Sequence, residues 1–356
     1  MVDAGPPDGP QPVFTEVLQR LAEKRDLTRA EAAWALDQIV DGTVGETQAA
    51  AFLMGLRVKG ETAEEIAGLV ETTRRRAVSV DVPENDLLVD SAGTGGDNLG
   101  TFNISTTAAF VTAGAGAKVA KHGNRAASSR CGSADVLEAL GVRVDLGPRE
   151  VAECLDRVGM GFMLASLYHP AAGRVAALRR ALGIRTVFNL LGPLANPAGA
   201  RRQLLGVCAP EHMEMLAGAL ARLGCERALL VHGDDGMDEL SVTGPSAVVE
   251  VAGTTVDAPY ILDPEEYGIP RYELAALAGG DPEENADITR KVLAGLGGGP
   301  RDAVVLNAAA ALYVAGRAPS IREGLGRARE SVDSGHAAGV LESLIAVTNE
   351  LGERSR

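Results

Sequence analysis

The sequence predicts an α/β protein built in two parts, a small N-terminal all-helical domain and a larger α/β domain with a mostly parallel central sheet flanked by helices. Three observations carry that expectation. Four successive segments near the start place apolar residues at three and four spacing. Beyond "VDVPEND", short apolar runs alternate with helix-length segments, as strands joined by crossover helices do. Late in the chain, "AVVEVAGTTVDAPYIL" alternates β-branched residues, which suggests an antiparallel edge.

Residues 1–12 are acidic and proline-rich and predict a disordered lead-in. The helical domain is expected over 13–82, with helices in "VFTEVLQRLAEKR", "TRAEAAWALDQIVDG", "GETQAAAFLMGLRVKG" and "TAEEIAGLVETTRRRA". Each opens near Thr or Glu, and most close on Gly or a basic residue. Trp34 on the second helix is expected in the core or at a dimer contact, not stacked on a ligand. The α/β domain is expected over 83–356. Its strands include "LLVDSA", "AKVAKHG" and "RALLVHG", and its helices "STTAAFVTAGAG", "SADVLEALG" and "PEHMEMLAGALARLG". The tail returns to helix in "NADITRKVLAGLGGG", "RDAVVLNAAAALYVAG", "IREGLGRARESVDSG" and "HAAGVLESLIAVTNELG".

With 356 residues, 46% of them apolar, the chain can bury a sizeable core. Its 34 Lys and Arg stand against 48 Asp and Glu, a formal charge of −14. That balance disfavours nucleic acid and anionic membrane and favours a small-molecule partner. Cys131, Cys154, Cys208 and Cys225 form no CxxC pair and no zinc spacing, so reduced thiols in a cytoplasmic protein are expected. No apolar run approaches the roughly 20 residues of a membrane span.

Chemistry concentrates in "GTGGDNLGTFNIST", Gly93 to Thr106, directly after the first strand. In that strand, turn, helix order, glycines let backbone N–H groups approach an anion at the helix N-terminus. The spacing matches neither a dinucleotide fingerprint nor a P-loop, and a plain turn with an N-cap from Asn103, Ser105 or Thr106 is the other reading. Charge placement favours the anion. Between Asp97 and Asp135 lie 37 residues without an acid, carrying Lys118, Lys121, Arg125 and Arg130. Within them, "KHGNRAASSRCGSAD" offers Lys121 and Arg125 as cations, Asn124 as an amide, and Ser128, Ser129 and Ser133 as hydroxyl donors. Downstream, "VHGDDGMDEL" sets Asp234, Asp235, Asp238 and Glu239 just beyond an apolar strand, where loop carboxylates can hold Mg²⁺ against a polyphosphate.

These motifs, with "AAAFLMGLRVKGETAEEIAG", "GSADVLEALG", "HPAAGRVAALRRALGIRTVFNLLGPLANPA" and "RDAVVLNAAAALYVAG", resemble the anthranilate phosphoribosyltransferase family over nearly the whole chain. The resemblance implies transfer of a phosphoribosyl group from phosphoribosyl pyrophosphate to anthranilate in tryptophan biosynthesis. It also implies two Mg²⁺ per subunit and a homodimer formed through the helical domain, which helices from about 168–182 would join; it leaves a partnership with anthranilate synthase undecided. By position, it assigns Gly93, Gly96, Asp97 and Thr101, with Asn103, Ile104, Ser105 and Thr106, to the pyrophosphate loop. Lys121, Gly123, Asn124, Arg125, Ser128, Ser129 and Ser133 become further donor contacts, and Ser105, Asp238 and Glu239 the metal ligands. Gly93, His122, Asn124, His169 and Arg179 line the acceptor site, with Lys121, His122 and Arg179 as catalytic residues. His122 reads equally as a proton acceptor or as a packing residue.

Where the family typically has "HPAMRHV" this chain has "HPAAGRV", and Tyr168 stands where His is frequent. Tyr168, Ala172 and Gly173 therefore suggest a wider acceptor channel. "TVFNLLGPLANPAG" is expected to form a rigid turn beneath the site with no direct chemistry. Two other readings are a pyrimidine nucleoside phosphorylase-like enzyme, which shares the architecture, and a non-catalytic nucleic-acid-binding relative, which the charge of −14 opposes.

Overall fold

A computed structural model describes residues 13–82, 88–126 and 129–354, so the expected lead-in over 1–12 lies outside the described residues. The chain begins with helices α1 (Phe14–Ala22), α2 (Arg29–Asp41), α3 (Glu46–Lys59) and α4 (Ala63–Arg75). Thr28 with Glu31 and Thr62 with Glu65 form reciprocal capping boxes that start α2 and α4. Glu65 is fully buried, yet it also accepts from the Leu27 N–H and from Lys59 Nζ, each at 2.9 Å, so its charge is matched. A Cβ on Gly68 would lie 2.1 Å from the Arg29 carbonyl oxygen; glycine there lets α4 pack directly on α2. Trp34 is half-buried with its ring 6.1 Å from Phe14, a packing role.

The α/β part runs β1 (Leu88–Gly93), α5 (Ile104–Gly114), β2 (Lys118–Gly123), α6 (Ser133–Leu140), α7 (Pro148–Arg157) and β3 (Met160–Leu164). It continues through α8 (Ala165–Tyr168), α9 (Ala172–Leu182), α10 (Phe188–Leu194), β4 (Arg202–Gly206), α11 (Met213–Arg222) and β5 (Arg227–Gly233). Then come β6 (Ser246–Ala252), β7 (Thr255–Val256), β8 (Tyr260–Leu262), α12 (Pro282–Leu293), α13 (Gly299–Val314), α14 (Ile321–Asp333) and α15 (His336–Arg354). The sheet order is β3-β2-β1-β4-β5-β6-β7, with β8 also on β6; β1 to β5 are parallel and the last three strands antiparallel. The antiparallel edge falls where β-branched alternation predicts it.

Each sheet face is covered by its own core. One packs α5, α6, α12 and the almost wholly apolar α13 against β1 and β2. The other is continuous with the helical bundle: Phe52, Leu53 and Leu69 share a cluster with Leu205, Leu230 and Val249 of the sheet, and α9 packs on α2 and α3. Among the described residues no helix is long and apolar enough to cross a membrane.

Candidate active site

The glycine loop leaves β1 at the point where the strand order reverses, with β2 on one side and β4 on the other. Open α/β sheets hold ligands in the crevice at such a point. The register sets Gly93 beside Gly206. A Cβ on Gly93 would meet Asp238 Oδ2 at 2.2 Å, and one on Gly206 would meet the Asp238 carbonyl oxygen at 1.6 Å. Two glycines at adjacent strand ends thus let the loop after β5 fold across β4 and deliver its acids to β1. There Asp238 Oδ2 accepts the Gly95 N–H at 2.7 Å, and Glu239 Oε1 accepts the Ser105 N–H in the first turn of α5 at 3.0 Å. From β2, buried Lys121 donates to the Ser91 carbonyl at 2.6 Å and to Ser105 Oγ at 3.4 Å.

This cluster holds more negative than positive charge. Burial, reinforced by neighbouring Asp97, pushes the Asp238 carboxyl up to about 6. Burial and Asp238 push Glu239 up to about 8, against the pull of Lys121. Carboxylates raised by burial and by neighbouring acids, beside a serine hydroxyl, make a hard-oxygen donor set that fits Mg²⁺. Asp238, Glu239 and Ser105 Oγ are the groups that would hold it. Among the described residues no three His, Cys, Asp or Glu close a metal cage, so the remaining ligands must come from water or a bound phosphate.

Asp234 and Asp235, expected with the same loop, do not join the cluster. Asp235 Oδ2 accepts from the Ser241 and Thr243 hydroxyls, both at 2.6 Å, and its Oδ1 from the Met237 N–H at 3.0 Å, so this carboxylate builds the turn. The backbone N–H of Asp234 donates to the Pro245 carbonyl.

Other loop residues divide by what they present. Thr101 bridges to Ala278 and anchors the far end of the loop. Ile104 and Thr106 are buried in the core, so they offer the site only backbone. Asn103 precedes α5 without a side-chain cap, which removes the plain-cap reading; its amide donates to the Cys131 carbonyl at 3.3 Å and accepts from Asn285 at 2.9 Å. Gly123 gives Ser133 room, since a Cβ there would lie 2.2 Å from Ser133 Oγ, and that hydroxyl bonds both backbone groups of Asn124 at 3.1 Å. Ser129 Oγ donates to the Cys131 carbonyl at 3.4 Å. The structure does not bring the Arg125 guanidinium to the cluster: it pairs with Glu138 and Asp135 of α6. Ser128 lies outside the described residues.

Beside the cluster opens a cavity of about 320 Å³ lined by His122, Asn124, His169, Gly173 and Arg179. Arg179 has no ion-pair partner among the described residues, and burial, then Arg185, lowers its affinity for its proton. The rings of His122 and His169 lie with centres 5.0 Å apart, tilted at 59° to each other, and neither buried Nε2 has a partner. The backbone of Gly192 holds the first imidazole and that of Ala195 the second, leaving each Nε2 as a neutral acceptor. The segment "TVFNLLGPLANPAG" is more than a turn: it forms α10, and Phe188, Leu191, Gly192 and Ala195 wall the cavity. Tyr168 is absent from this wall; it is buried, and its hydroxyl donates to the Leu146 carbonyl at 3.0 Å. The side chain of Ala172 lies outside the described residues, while a Cβ on Gly173 would meet open space.

Sequence reasoning missed Asp90, and it read Asn196 only as part of the rigid turn beneath the site. Asp90 is fully buried, takes the His122 N–H on Oδ1 at 3.2 Å and Asn196 Nδ2 on Oδ2 at 2.8 Å, and faces Lys121; Asn196 also donates to the Ala120 carbonyl at 2.8 Å. Together they tie β1, β2 and the turn after α10 under the site. The available signal was an acid inside the apolar run "LLVDSA".

Burial, helped by His169, holds His122 down to about 3, against an unfolded value near 6.5. The unfolded chain therefore takes up a proton first as pH falls, so the contribution of His122 is whole above pH 6.5 and is lost progressively below it. By pH 5 the loss reaches about 2 kcal/mol. Thermal unfolding followed from pH 7 to pH 5 is expected to fall less steeply for His122→Asn than for the parent.

A glycosyl transferase family model described as an a/b domain matches residues 85–338, and one described as a helical bundle domain matches 15–77. The anthranilate phosphoribosyltransferase of Anaeromyxobacter dehalogenans is 54% identical over 336 residues, 94% of this chain and 99% of that protein. The crystal structure of the Thermus thermophilus anthranilate phosphoribosyltransferase aligns with a TM-score of 0.89 at 46% identity, over 94% of this chain and 99% of that one. The Saccharomyces cerevisiae anthranilate phosphoribosyltransferase in complex with PRPP and Mg aligns with a TM-score of 0.87 at 30% identity, over 95% and 98% of the two chains.

Proposed function

The chain belongs to the anthranilate phosphoribosyltransferases of the glycosyl transferase family, and from that premise we infer that it moves the 5-phosphoribosyl group of phosphoribosyl pyrophosphate onto the amine of anthranilate, releasing pyrophosphate. The observation that carries the reading is the meeting of Lys121, Ser105, Asp238 and Glu239 at the glycine loop, beside a cavity of aromatic size containing Arg179. We propose that Asp238, Glu239 and Ser105 hold two Mg²⁺, as the charge deficit of the cluster supports. Bound there, the ions would neutralise the diphosphate and make it a better leaving group.

The chain's own residues do the rest. The Lys121 ammonium and the Gly95 and Ser105 N–H groups, now shared with carbonyl and carboxylate oxygens, are pre-aimed donors for phosphate oxygens. Arg179 takes the acceptor carboxylate. The amine of anthranilate is neutral at pH 7, so positioning over the sugar carries much of the rate. His122 and His169 wall the same cavity as neutral imidazoles, and His122 serves as acceptor for the departing proton.

The deciding assay follows loss of anthranilate fluorescence on adding phosphoribosyl pyrophosphate, with and without Mg²⁺; no loss in the presence of Mg²⁺ overturns the reading. Arg179→Ala is expected to raise the KM for anthranilate about 100-fold, the cost of a charge-assisted bidentate contact, with little change in KM for the donor. Ring-substituted anthranilates in the same assay test the wider channel, which no longer draws on Tyr168. We place the homodimer on the helical domain, where Leu18, Ala22 and Ala51 line a surface groove beside exposed Val13 and Val58. Sedimentation should then report two chains per particle.

A further inference from the structure

The chain between α9 and α10 carries Arg185, to which neither the sequence nor the proposed chemistry gives a role. It is solvent-exposed, and among the described residues it has no carboxylate partner, although Glu61 and Glu211 line the same small cavity. Its guanidinium lies on the glycine loop instead. Nη2 donates to the Thr94 carbonyl at 3.2 Å and sits 3.6 Å from Cys208 Sγ. Nη1 lies so close to Gly96 that a Cβ there would be 1.5 Å from it, and φ at +84° makes Gly96 a position that favours glycine. Thr94 is held from the β4 side as well, its N–H donating to Gly206 and its Oγ1 accepting from the Cys208 N–H at 3.0 Å.

The consequence lies in one peptide unit. Its carbonyl, that of Thr94, accepts from Arg185; its N–H, that of Gly95, donates to Asp238 Oδ2 at 2.7 Å. A planar peptide gripped at both ends has a fixed plane. When Asp238 turns to a cation, Arg185 still aims the Gly95 N–H into the cradle, and a guanidinium on the carbonyl strengthens that N–H as a donor. Arg185 is also six residues beyond Arg179 and close enough to disfavour its charge.

We propose that Arg185 is a positioning residue that sets donor affinity by latching the Thr94–Gly96 loop through the Thr94 carbonyl. The proposal rests on the donor-loop assignment above. It is tested in the full-length protein with Arg185→Ala and Arg185→Lys, by steady-state kinetics and by calorimetric binding of inorganic pyrophosphate with Mg²⁺. Arg185→Ala is expected to raise the KM for phosphoribosyl pyrophosphate about tenfold and weaken pyrophosphate about equally, with the KM for anthranilate within about twofold. Arg185→Lys, which can still donate to the Thr94 carbonyl, recovers part of the loss. Because the side chain is exposed, the melting temperature should not move, so a split between the two KM values cannot come from a weakened fold. Equal pyrophosphate affinity in Arg185→Ala and parent overturns the latch. Absence of turnover in the parent, with pyrophosphate still bound and weakened by Arg185→Ala, overturns the assigned reaction and leaves the latch standing.

Discussion

Asp238→Asn is expected to lower kcat/KM for phosphoribosyl transfer about a thousandfold or more, a loss of about 4 kcal/mol in transition-state stabilisation, while leaving the protein more stable than its parent. The two effects have one cause. The half-buried carboxyl of Asp238 is partly stripped of water and faces Asp97, and that environment raises its proton affinity to about 6. A raised value means the folded state holds its proton longer than the unfolded chain, so the contribution to stability is largest below about pH 4 and is lost as pH rises through 6. At pH 7 the parent therefore carries a penalty of roughly 3 kcal/mol, which the neutral amide removes. Asn keeps an oxygen for the Gly95 N–H, so the loop is not disturbed. Calorimetric melting should show a higher midpoint and a flatter pH dependence between 4 and 6, alongside the collapse in turnover. A variant both inactive and less stable would mean that Asp238 is a structural acid.

Lys121→Met moves both quantities down. Lys121 is 2% exposed, and its ammonium faces Asp90 and Glu239 while bonded to the Ser91 carbonyl. Burial lowers its proton affinity; Asp90 first and Glu239 second hold it up. Methionine fills the volume but leaves the ionised Asp90 without that cation and removes its pull on Glu239. Removing one member of a buried charge set costs about 3–5 kcal/mol, far above the usual effect of a single substitution. The penalty should shrink toward low pH, because Asp90, already raised to about 6 by burial, becomes neutral there. Urea titrations at pH 7 and pH 5 measure both points. An undiminished stability at pH 7 would show that the three groups do not act as one charge set. Turnover is expected to vanish as well, since among the described residues Lys121 is the cation bonded to Ser105 Oγ.

Much of this site is legible along the chain. The glycine loop, the acid-free basic segment and the Asp238–Glu239 pair each announce their chemistry within one short stretch. The strands β1, β2 and β5 are equally plain, because their apolar runs are bounded by Gly or charge. By contrast, β3 is "MGFML" and β4 is "RQLLG", five residues each, without a β-branched side chain and with glycine inside or at the end. Such runs do not separate strand from buried helix by pattern. The segment read as a rigid turn became α10 because neighbouring layers bury Leu190, Leu191 and Leu194, overriding an internal proline. Local reading also grouped Asp234 and Asp235 with their neighbours, and Arg125 with Lys121. Adjacent side chains on a loop point in different directions, and Asp235 and Arg125 find their partners in Thr243 and Glu138.

Residue types and their local order were enough to specify an α/β chain with a helical bundle, an anion-binding loop and a carboxylate pair suited to a hard cation. Folding had to set Gly206 beside Gly93 so that Asp238 reaches the loop, to lay Arg185 on Gly96, and to put Asp90 and Asn196 beneath Lys121 and His122. The physical reason is range. A turn or a helix start is stabilised by groups a few residues apart, whereas strand adjacency is decided by which apolar faces can be buried together across the whole chain. Only after that burial do residues more than a hundred positions apart, such as Gly95 and Asp238, come within hydrogen-bonding distance.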